Sequence, residues 1–281
     1  MLLITGATGH VGRALVEELN RRGAEFRALV RSPRPEVPAE QIVGDLDGPL
    51  DLRGVDKVFL LVPGTGLEHT TNVVAAARRA CVRQIVYLSS YAVLGDPIPA
   101  MGRWHHEREQ LIADSGIAAT FLRPTGFMTN TFDWLPTIRA GGYVLDPIGP
   151  GRAAPIDPAD IAAVAATVLV EDGHEKQAYT LTGPEAFTVA EQVAILGTAI
   201  DRTLDVRPIA TPEEAVRFRY PEGAPAELAA ALIEGLTLMH ADTIGLRTDV
   251  ARRLTGRAPN TFSAWCKENA GQLSEESCPA P

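Results

Sequence analysis

The sequence predicts an α/β protein, with a doubly wound parallel sheet covered by helices on both faces and a smaller, mainly helical carboxyl-terminal lobe. Three observations support this prediction. Short apolar segments alternate with helix-patterned segments over the first two thirds of the chain, as in repeated βαβ units. A glycine-rich segment follows the first apolar run, and the last third is helix-patterned but interrupted by prolines. With 281 residues, 46% of them hydrophobic, the chain can bury one substantial core and a smaller one.

The individual strands and helices follow from the spacing of apolar residues. Short apolar runs predict seven strands, at residues 2–5, 26–30, 41–43, 57–62, 84–90, 119–124 and 178–183. Helical spacing predicts helices after the first strand, at 68–80, 107–116, 157–172 and 188–200, and near 225–240 and 261–270. Two of these helix starts carry specific signals, because Asp157 precedes a proline at the first helical position and Thr188 forms a capping box with Glu191.

Charge and cysteine content exclude several classes of function. The net charge is −9 and no basic run occurs, so we expect no nucleic-acid partner. No apolar stretch reaches the roughly 20 residues that span a bilayer, and the opening MLLITGATGH does not read as a secretion signal. Cys81, Cys266 and Cys278 lie far apart, which predicts free thiols in a reducing cytoplasm and no metal site.

The segment TGATGHVG carries the strongest functional signal. A tight turn between the first strand and the first helix requires residues without Cβ atoms, and a diphosphate has to approach backbone N–H groups at the positive end of that helix. The alternative is a glycine-rich turn that binds nothing. The position directly after an amino-terminal apolar strand favours dinucleotide binding in a Rossmann-type domain. The residues expected to form this cofactor loop are Gly6, Thr8, Gly9, His10, Val11 and Gly12.

The end of the second strand predicts which dinucleotide binds. An NAD-preferring site usually has Asp or Glu there, to accept from the ribose 2′-hydroxyl. This chain has Arg31 and Ser32 instead, and no acidic residue before Glu36. A guanidinium can pair with a 2′-phosphate that a carboxylate would repel, so NADP(H) is favoured over NAD(H). The alternative is that Arg31 is a solvated loop residue.

Further motifs resemble the NmrA-like, atypical branch of the short-chain dehydrogenase/reductase superfamily. They are GATGHVG, VRS after the second strand, GDL at 44–46, LLVPGT at 60–65, TFLRPTGFMTN at 120–130, IDPADIA at 156–162 and YTLTGPE at 179–185. The resemblance covers roughly residues 1–200, and TFSAWCKENA at 261–270 resembles the terminal helix of the family. It implies an NAD(P)-binding Rossmann domain with the nicotinamide in a cleft beside the small lobe. By position, it also implies cofactor contacts at Asp45, Leu46, Val62, Pro63, Ser89, Pro124 and Thr125.

These observations predict the domain limits. We expect the NAD(P)-binding domain at residues 1–183, with 125–150 contributing to the substrate cleft. The small substrate lobe is expected at 184–270 and a disordered tail at 271–281. The sequence leaves open whether the chain is a monomer or a homodimer.

The proton relay of the superfamily is missing from this chain. In ordinary members a Tyr protonates the forming alkoxide, and a Lys four residues later lowers the pKa of that Tyr. None of the five tyrosines here has a Lys four residues later. In the segment MGRWHHERE, Met101 falls near the family's Tyr position and His105 near its Lys position, where His105 could contact the cofactor.

The missing relay restricts the chemistry. Hydride addition to a ketone makes an alkoxide, whereas addition to a quinone-like acceptor makes an anion less basic by roughly six pK units, or about 8 kcal/mol. A site without a positioned acid can manage the second reaction with water, His or N–H dipoles. The sequence therefore predicts an NADP(H)-dependent reductase of a quinone-like or conjugated aromatic small molecule. A non-catalytic NADP(H) sensor and a biosynthetic enzyme doing a non-redox isomerisation or cyclisation remain alternatives.

Three residues are candidates for catalysis. His105 could hydrogen-bond the nicotinamide ribose or donate a proton near neutral pH, although His105 and His106 could instead both be surface residues. Adjacent residues of a helix point about 100° apart, so at most one of the two faces the cleft. Ser90 and Tyr91 follow the fifth strand at the end where open α/β sheets bind ligands, and Tyr91 is the candidate for contacting substrate.

Aromatic and methionine side chains cluster in the segments that would border the cleft, where they suit a flat apolar ligand. Packing in the core is the alternative explanation for them. The predicted substrate contacts are Tyr91, Trp104, Phe127, Met128 and Trp134.

Overall fold

A computed structural model describes residues 1–274 of the chain. Seven parallel strands form one sheet in the order β3-β2-β1-β4-β5-β6-β8, and two further strands, β7 and β9, pair separately. The strands are β1 (Leu2–Ile4), β2 (Phe26–Val30), β3 (Glu40–Val43), β4 (Lys57–Leu60), β5 (Gln84–Leu88), β6 (Ala118–Pro124), β7 (Tyr143–Asp146), β8 (Gln177–Leu181) and β9 (Asp205–Pro208).

Helices connect these strands and extend the lobe. They are α1 (His10–Arg21), α2 (Glu68–Arg79), α3 (Ala100–Asp114), α4 (Leu135–Gly141), α5 (Pro158–Val170), α6 (Val189–Ala199), α7 (Pro212–Arg219), α8 (Ala226–Ala241), α9 (Val250–Thr255), α10 (Phe262–Glu268) and α11 (Ala270–Ser274). Two 3₁₀ helices span Tyr91–Leu94 and Met128–Trp134. The capping signals act as predicted, since Asp157 accepts from the N–H of Ala159 and Thr188 and Glu191 form their capping box.

The large sheet separates two apolar cores because successive side chains of each strand point to opposite faces. The first core cluster lies on the side of α1 and α5 and includes Ile4, Phe59 and Val86. The second core cluster lies on the side of α2 and α3 and includes Leu3 and Ile85. Strand β1 pairs with β2 on one side and β4 on the other, so the winding reverses there. This reversal creates a crevice at the carboxyl ends of the strands, which is where such sheets bind ligands.

The lobe contains a two-stranded parallel sheet that the sequence analysis missed when it predicted a mainly helical lobe. Strand β7 pairs with β9, and the guanidinium of Arg207 lies 3.7 Å from the ring centroid of Tyr143. A third core cluster underlies this sheet and α6, with Val144, Leu196 and Trp265 among its buried members. Strands of four residues, partly exposed, leave too little periodicity to be recognised in a sequence.

Three boundaries differ from those predicted. Helix α3 begins at Ala100 rather than Glu107, because Glu234 from α8 accepts the N–H of Ala100 at 2.7 Å and supports a start that the local sequence does not mark. Residues 271–274, predicted as disordered tail, belong to α11, whose Leu273 is buried in the third core cluster. Residues 275–281 lie outside the described residues. Ala251 of α9 packs in the first core cluster, so part of the segment predicted as lobe lies against the large sheet.

Among residues 1–274, none of the helices combines the length and the apolar character needed to cross a bilayer. The prediction of free thiols is confirmed for Cys81, which is exposed, and for Cys266, which is buried. Burial raises the pKa of the Cys266 thiol to about 12. Cys278 lies outside the described residues.

Candidate cofactor and substrate site

The glycine turn is shaped by close contact between its own backbone segments. Gly6 has a φ of +68°, and its carbonyl accepts the N–H of Gly9 at 3.0 Å. A Cβ atom at Gly12 would overlap the Gly6 carbonyl oxygen and come within 2.6 Å of the carbonyl carbon. Position 12 therefore requires glycine, and position 6 strongly favours it because L side chains rarely adopt that backbone conformation.

This turn leaves the start of α1 open to a ligand. Gly9 is the N-cap residue, and within the described part of the chain no side chain caps the first N–H groups of the helix. Thr8, Gly9 and His10 are exposed, whereas Val11 and Gly12 are buried against the sheet. Unbonded N–H groups and the positive end of the helix dipole form a site for an anion such as the diphosphate of a dinucleotide. The residues present therefore fit the predicted cofactor.

Side chains hold this turn against its neighbours. The Thr5 hydroxyl donates to the Leu61 carbonyl at 3.0 Å and accepts the Leu61 N–H at 2.8 Å, which fixes the end of β1 beside the end of β4. On the lobe side, the His10 ring stacks on Phe132 with centroids 6.4 Å apart. Phe132 belongs to the aromatic segment that was expected to border the cleft, and the fold places it beside the start of α1.

Arg31 and Ser32 are both exposed directly after β2. The Arg31 guanidinium has no partner within the described part of the chain, whereas the neighbouring Arg34 lies 3.9 Å from Glu36. Asp45 is exposed after β3, but the Leu46 side chain is buried in the second core cluster. The loop thus presents one free guanidinium where a 2′-phosphate was expected.

The carboxyl ends of β4, β5 and β6 form the remainder of the predicted cofactor surface. Val62 is half-buried and Pro63 is exposed. Ser89 is 5% exposed and its hydroxyl has no partner among residues 1–274, and an unpaired buried hydroxyl is consistent with a ligand that completes it. Pro124 ends β6, and the Thr125 hydroxyl already donates to the Ala154 carbonyl at 2.6 Å.

His105 and His106 point to different sides of α3. The His105 ring lies over the sheet, with its Nδ1 2.9 Å from the Tyr87 hydroxyl oxygen. His106 contacts Gln110 at 3.1 Å and lines a surface groove between α2 and α3. His105 is therefore the histidine that faces the interior at the site.

Burial and the nearby Arg108 charge lower the pKa of His105 to about 4, against a smaller raising effect of Glu109. Its ring is neutral at pH 7. Burial disfavours the charged ring, so this environment does not favour proton donation by His105 near neutral pH, and its hydrogen bond to the cofactor stays a prediction.

Arg108, which the sequence analysis did not single out, fixes the loop after β4. Its side chain is 2% exposed and donates from Nη2 to the Gly64 carbonyl at 2.7 Å and to the Gly66 carbonyl at 2.9 Å. Its Nε donates to Gly66 as well, at 3.2 Å. A neighbouring pair, Glu109 and Arg123, connects α3 to β6 by two hydrogen bonds of 2.5 and 2.9 Å. An arginine within an amphipathic helix gives no sign in sequence of such a role.

Ser90 and Tyr91 lie beside this helix. The Ser90 hydroxyl oxygen accepts the N–H of Ala92 at 3.2 Å and caps the 3₁₀ helix that follows, so its acceptor capacity is partly used by the fold. Tyr91 is half-buried, and its hydroxyl bonds to no described residue. Burial, followed by the charge of Asp242, raises the pKa of Tyr91 and keeps its phenol neutral.

Helix α8 lies across the start of α3 and borders this region. Besides the contact between Glu234 and Ala100, an added Cβ at Gly235 would lie 3.9 Å from the Met101 sulfur. The residue near the family's Tyr position thus faces the lobe. At the end of α8, the Asp242 carbonyl accepts the N–H of Arg152 at 2.7 Å.

The predicted substrate contacts divide into two groups. Trp104, Phe127 and Trp134 are half-buried, so each keeps some surface for a ligand. Met128 is 1% exposed and packs in the third core cluster. The prediction of Met128 as a substrate contact is corrected, because its apolar side chain fills the core of the lobe.

Comparison with known proteins agrees with this geometry. A family model described as NAD(P)H-binding matches residues 6–172. The chain belongs to this NAD(P)H-binding family. Its match begins at Gly6, the first residue of the glycine turn.

Members of known activity align with this NAD(P)H-binding protein over nearly its whole length. It is 36% identical to the NAD(P)H azoreductase of Xenophilus azovorans over 96% of this chain and 98% of the relative. It is also 36% identical to the (4-alkanoyl-5-oxo-2,5-dihydrofuran-3-yl)methyl phosphate reductase of Streptomyces griseus, over 98% and 100% of the two chains.

A solved structure extends this agreement to three dimensions. The NADPH-dependent quinone oxidoreductase of Escherichia coli complexed with NADPH superimposes with a TM-score of 0.82 at 27% identity, over 95% of this chain and 99% of that one. The predicted α/β fold and the predicted membership of the NAD(P)-binding atypical reductases are confirmed.

Proposed function

We propose that this protein is an NADPH-dependent reductase that delivers hydride to a quinone-like, azo or otherwise conjugated small molecule. The single observation that carries the proposal is the full-length similarity, at 36% identity, to an NAD(P)H azoreductase. The Streptomyces relative reduces a substrate whose name describes an alkanoyl-substituted dihydrofuranone, and the Escherichia coli protein is named for quinones. Acceptors of this kind share an electron-poor conjugated system, as the sequence analysis predicted.

The chain's residues would bind the cofactor as follows. The uncapped N–H groups of α1 hold the diphosphate, and the glycine turn lets it approach the backbone. Arg31 pairs with the 2′-phosphate, which gives the preference for NADP(H). The Ser89 hydroxyl gains a hydrogen-bond partner. Bound NADPH supplies a hydride, so that the acceptor gains two electrons and NADP⁺ is left.

The polar groups of the site suit a weakly basic product anion. Neutral His105 and neutral Tyr91 can each stabilise developing negative charge by donating a hydrogen bond, and neither is strongly acidic. The anion then takes its proton from water. An alkoxide from a simple ketone would require a stronger, positioned donor, so conjugated acceptors are favoured over ordinary ketones.

The test is NADPH oxidation followed at 340 nm under anaerobic conditions with a quinone, an azo dye, a conjugated lactone and a simple ketone. We expect turnover with at least one conjugated acceptor and none with the ketone. G12A should abolish NADPH binding because its Cβ overlaps the Gly6 carbonyl, whereas G271A, with open space around the position, is the matched control and should behave as wild type.

A negative result in this assay would distinguish the reductase from the alternative functions. Tight NADPH binding without turnover on any acceptor would contradict the reductase and favour a sensor or a non-redox enzyme. The aromatic contacts Trp104, Phe127 and Trp134 are part of the proposal, as are the cytoplasmic location and the monomeric or homodimeric state. Each stays a prediction.

A further inference from the structure

Three polar side chains from β5 and α3 lie together near the proposed nicotinamide end of the cleft, and two of them, Tyr87 and His105, are joined by a hydrogen bond. Tyr87 is fully buried on β5, with its hydroxyl 2.9 Å from Nδ1 of His105. Arg108, one turn further along α3, is 2% exposed. The rings of Tyr87 and His105 are 6.0 Å apart between centroids. No step of the proposed reaction has so far used Tyr87 or Arg108.

The donors and acceptors of this group determine where its protons lie. A guanidinium has donors only, so Arg108 can interact with the Tyr87 hydroxyl only through the phenol oxygen and cannot accept the phenol proton. Burial raises the pKa of Tyr87, and the nearby Arg108 guanidinium opposes this in part. The phenol therefore keeps its proton, and the acceptor within reach of that proton is Nδ1 of His105. A neutral imidazole that accepts at Nδ1 carries its own proton on Nε2.

We propose that Tyr87 and Arg108 are positioning residues that hold His105 as its Nε2–H tautomer, so that the far edge of the ring presents a neutral N–H donor to the nicotinamide half of the bound cofactor. This inference rests on the proposed function for the identity of the ligand. The two ring nitrogens flank Cε1 and their outward directions diverge widely, so an N–H at Nε2 points away from the Tyr87 hydroxyl. Helix α3 follows β5, and His105 lies in its second turn, near the ligand-binding end of the sheet.

Arg108 also explains why a neutral donor fits at position 105. The guanidinium places a positive charge beneath the ring, and its remaining hydrogen bonds go to the carbonyls of Gly64 and Gly66. A second cation at position 105 would be repelled by Arg108, and the neighbouring Glu109 carboxylate is already paired with Arg123. A neutral N–H donor avoids this repulsion. The same guanidinium holds the loop after β4 through the Gly64 and Gly66 carbonyls. The orientation of the His105 ring and the conformation of this loop therefore depend on one side chain.

The first experiment measures the tautomer in the protein without ligand. Nitrogen-15 histidine NMR at pH 7 should show His105, identified by its absence from H105Q, as the Nε2–H tautomer with a hydrogen-bonded Nδ1. Y87F should shift the Nδ1 resonance towards that of a nitrogen without a hydrogen bond and mix the tautomers. A neutral Nδ1–H tautomer or a charged ring in wild type would overturn the proposal.

The second experiment measures NADPH affinity by fluorescence titration. Y87F should raise the Kd by roughly threefold to tenfold, as expected for one lost hydrogen bond. Y179F is the matched control, because the Tyr179 hydroxyl is likewise 2.9 Å from Nδ1 of a histidine, His174, away from the cleft. It should leave the Kd unchanged. An equal effect of Y179F, or no effect of Y87F, would overturn the proposal.

A double-mutant cycle separates positioning from general damage. The side-chain amide of H105Q replaces the Nε2–H donor and needs no tautomer, so adding Y87F to H105Q should cost little further affinity. An undiminished effect of Y87F in the H105Q background would contradict a role through His105. Failure of wild type to bind NADPH would refute the proposed function, whereas the NMR result tests the tautomer independently.

Discussion

Stability between pH 7 and pH 5 provides a direct test of the buried state of His105. The folded protein lowers the pKa of His105 from 6.5 to about 4, mainly through burial. Below pH 6.5 His105 becomes protonated in the unfolded chain but stays neutral in the folded protein. Stability is therefore lost as the pH falls from about 6.5 to about 4. The full shift corresponds to about 3 kcal/mol, of which roughly 2 kcal/mol is lost by pH 5.

H105Q removes this titrating group and retains a side chain that can hydrogen-bond. We expect the free energy of unfolding of wild type, from urea denaturation, to fall by roughly 2 kcal/mol more than that of H105Q between pH 7 and pH 5. The carboxyl groups that titrate over this range are common to both proteins and cancel in the comparison.

H106Q is the matched control, because His106 lies on the adjacent position of α3 and faces the surface groove. It should lose as much stability as wild type. Equal losses for wild type and H105Q would refute the reasoning, since they would show that the folded protein accepts a proton at His105 as readily as the unfolded chain does.

Three further predictions concern the cofactor loop, the lobe and the core. R31A should raise the Kd for NADPH roughly tenfold to hundredfold by loss of a charge-assisted pair, with the Kd for NADH unchanged by isothermal titration; equal effects on both cofactors would contradict the assignment. E234A removes the carboxylate that accepts the Ala100 N–H, so thermal denaturation should show a free energy of unfolding lower by about 1 kcal/mol. Steady-state kinetics should show a higher KM for the acceptor, and an unchanged KM would contradict a position of α8 beside the acceptor site. M128A should cost about 2–5 kcal/mol in urea denaturation with the acceptor KM unchanged, because Met128 is a core residue; a raised KM with normal stability would restore it as a substrate contact.

The parts of the structure that could be predicted are those encoded locally. Buried parallel strands such as β4 and β5 are continuous apolar runs, which period and length identify. The glycine turn was recognisable because the requirement for residues without Cβ atoms acts within a seven-residue segment, from Gly6 to Gly12. Both signals are independent of distant residues.

The parts that could not be predicted depend on distant partners. The start of α3 is supported by Glu234, and the pairing of β7 with β9 joins segments separated by α5, β8 and α6. The role of Arg108 depends on two carbonyl groups some forty residues earlier in the chain, at Gly64 and Gly66. Local sequence patterns contain no information on such partners. Prediction of the cofactor loop was therefore more complete than prediction of the residues around His105.

Helix α8 makes several contacts with the rest of the molecule through backbone atoms. Glu234 binds a backbone N–H of α3, and the Asp242 carbonyl binds the backbone N–H of Arg152. Gly151 packs so closely on the Met239 carbonyl that a side chain there would overlap it. If α8 borders the acceptor site as proposed, substitutions on its exposed face can change that border while these three backbone contacts stay in place, so this helix is where we would begin to vary acceptor selectivity.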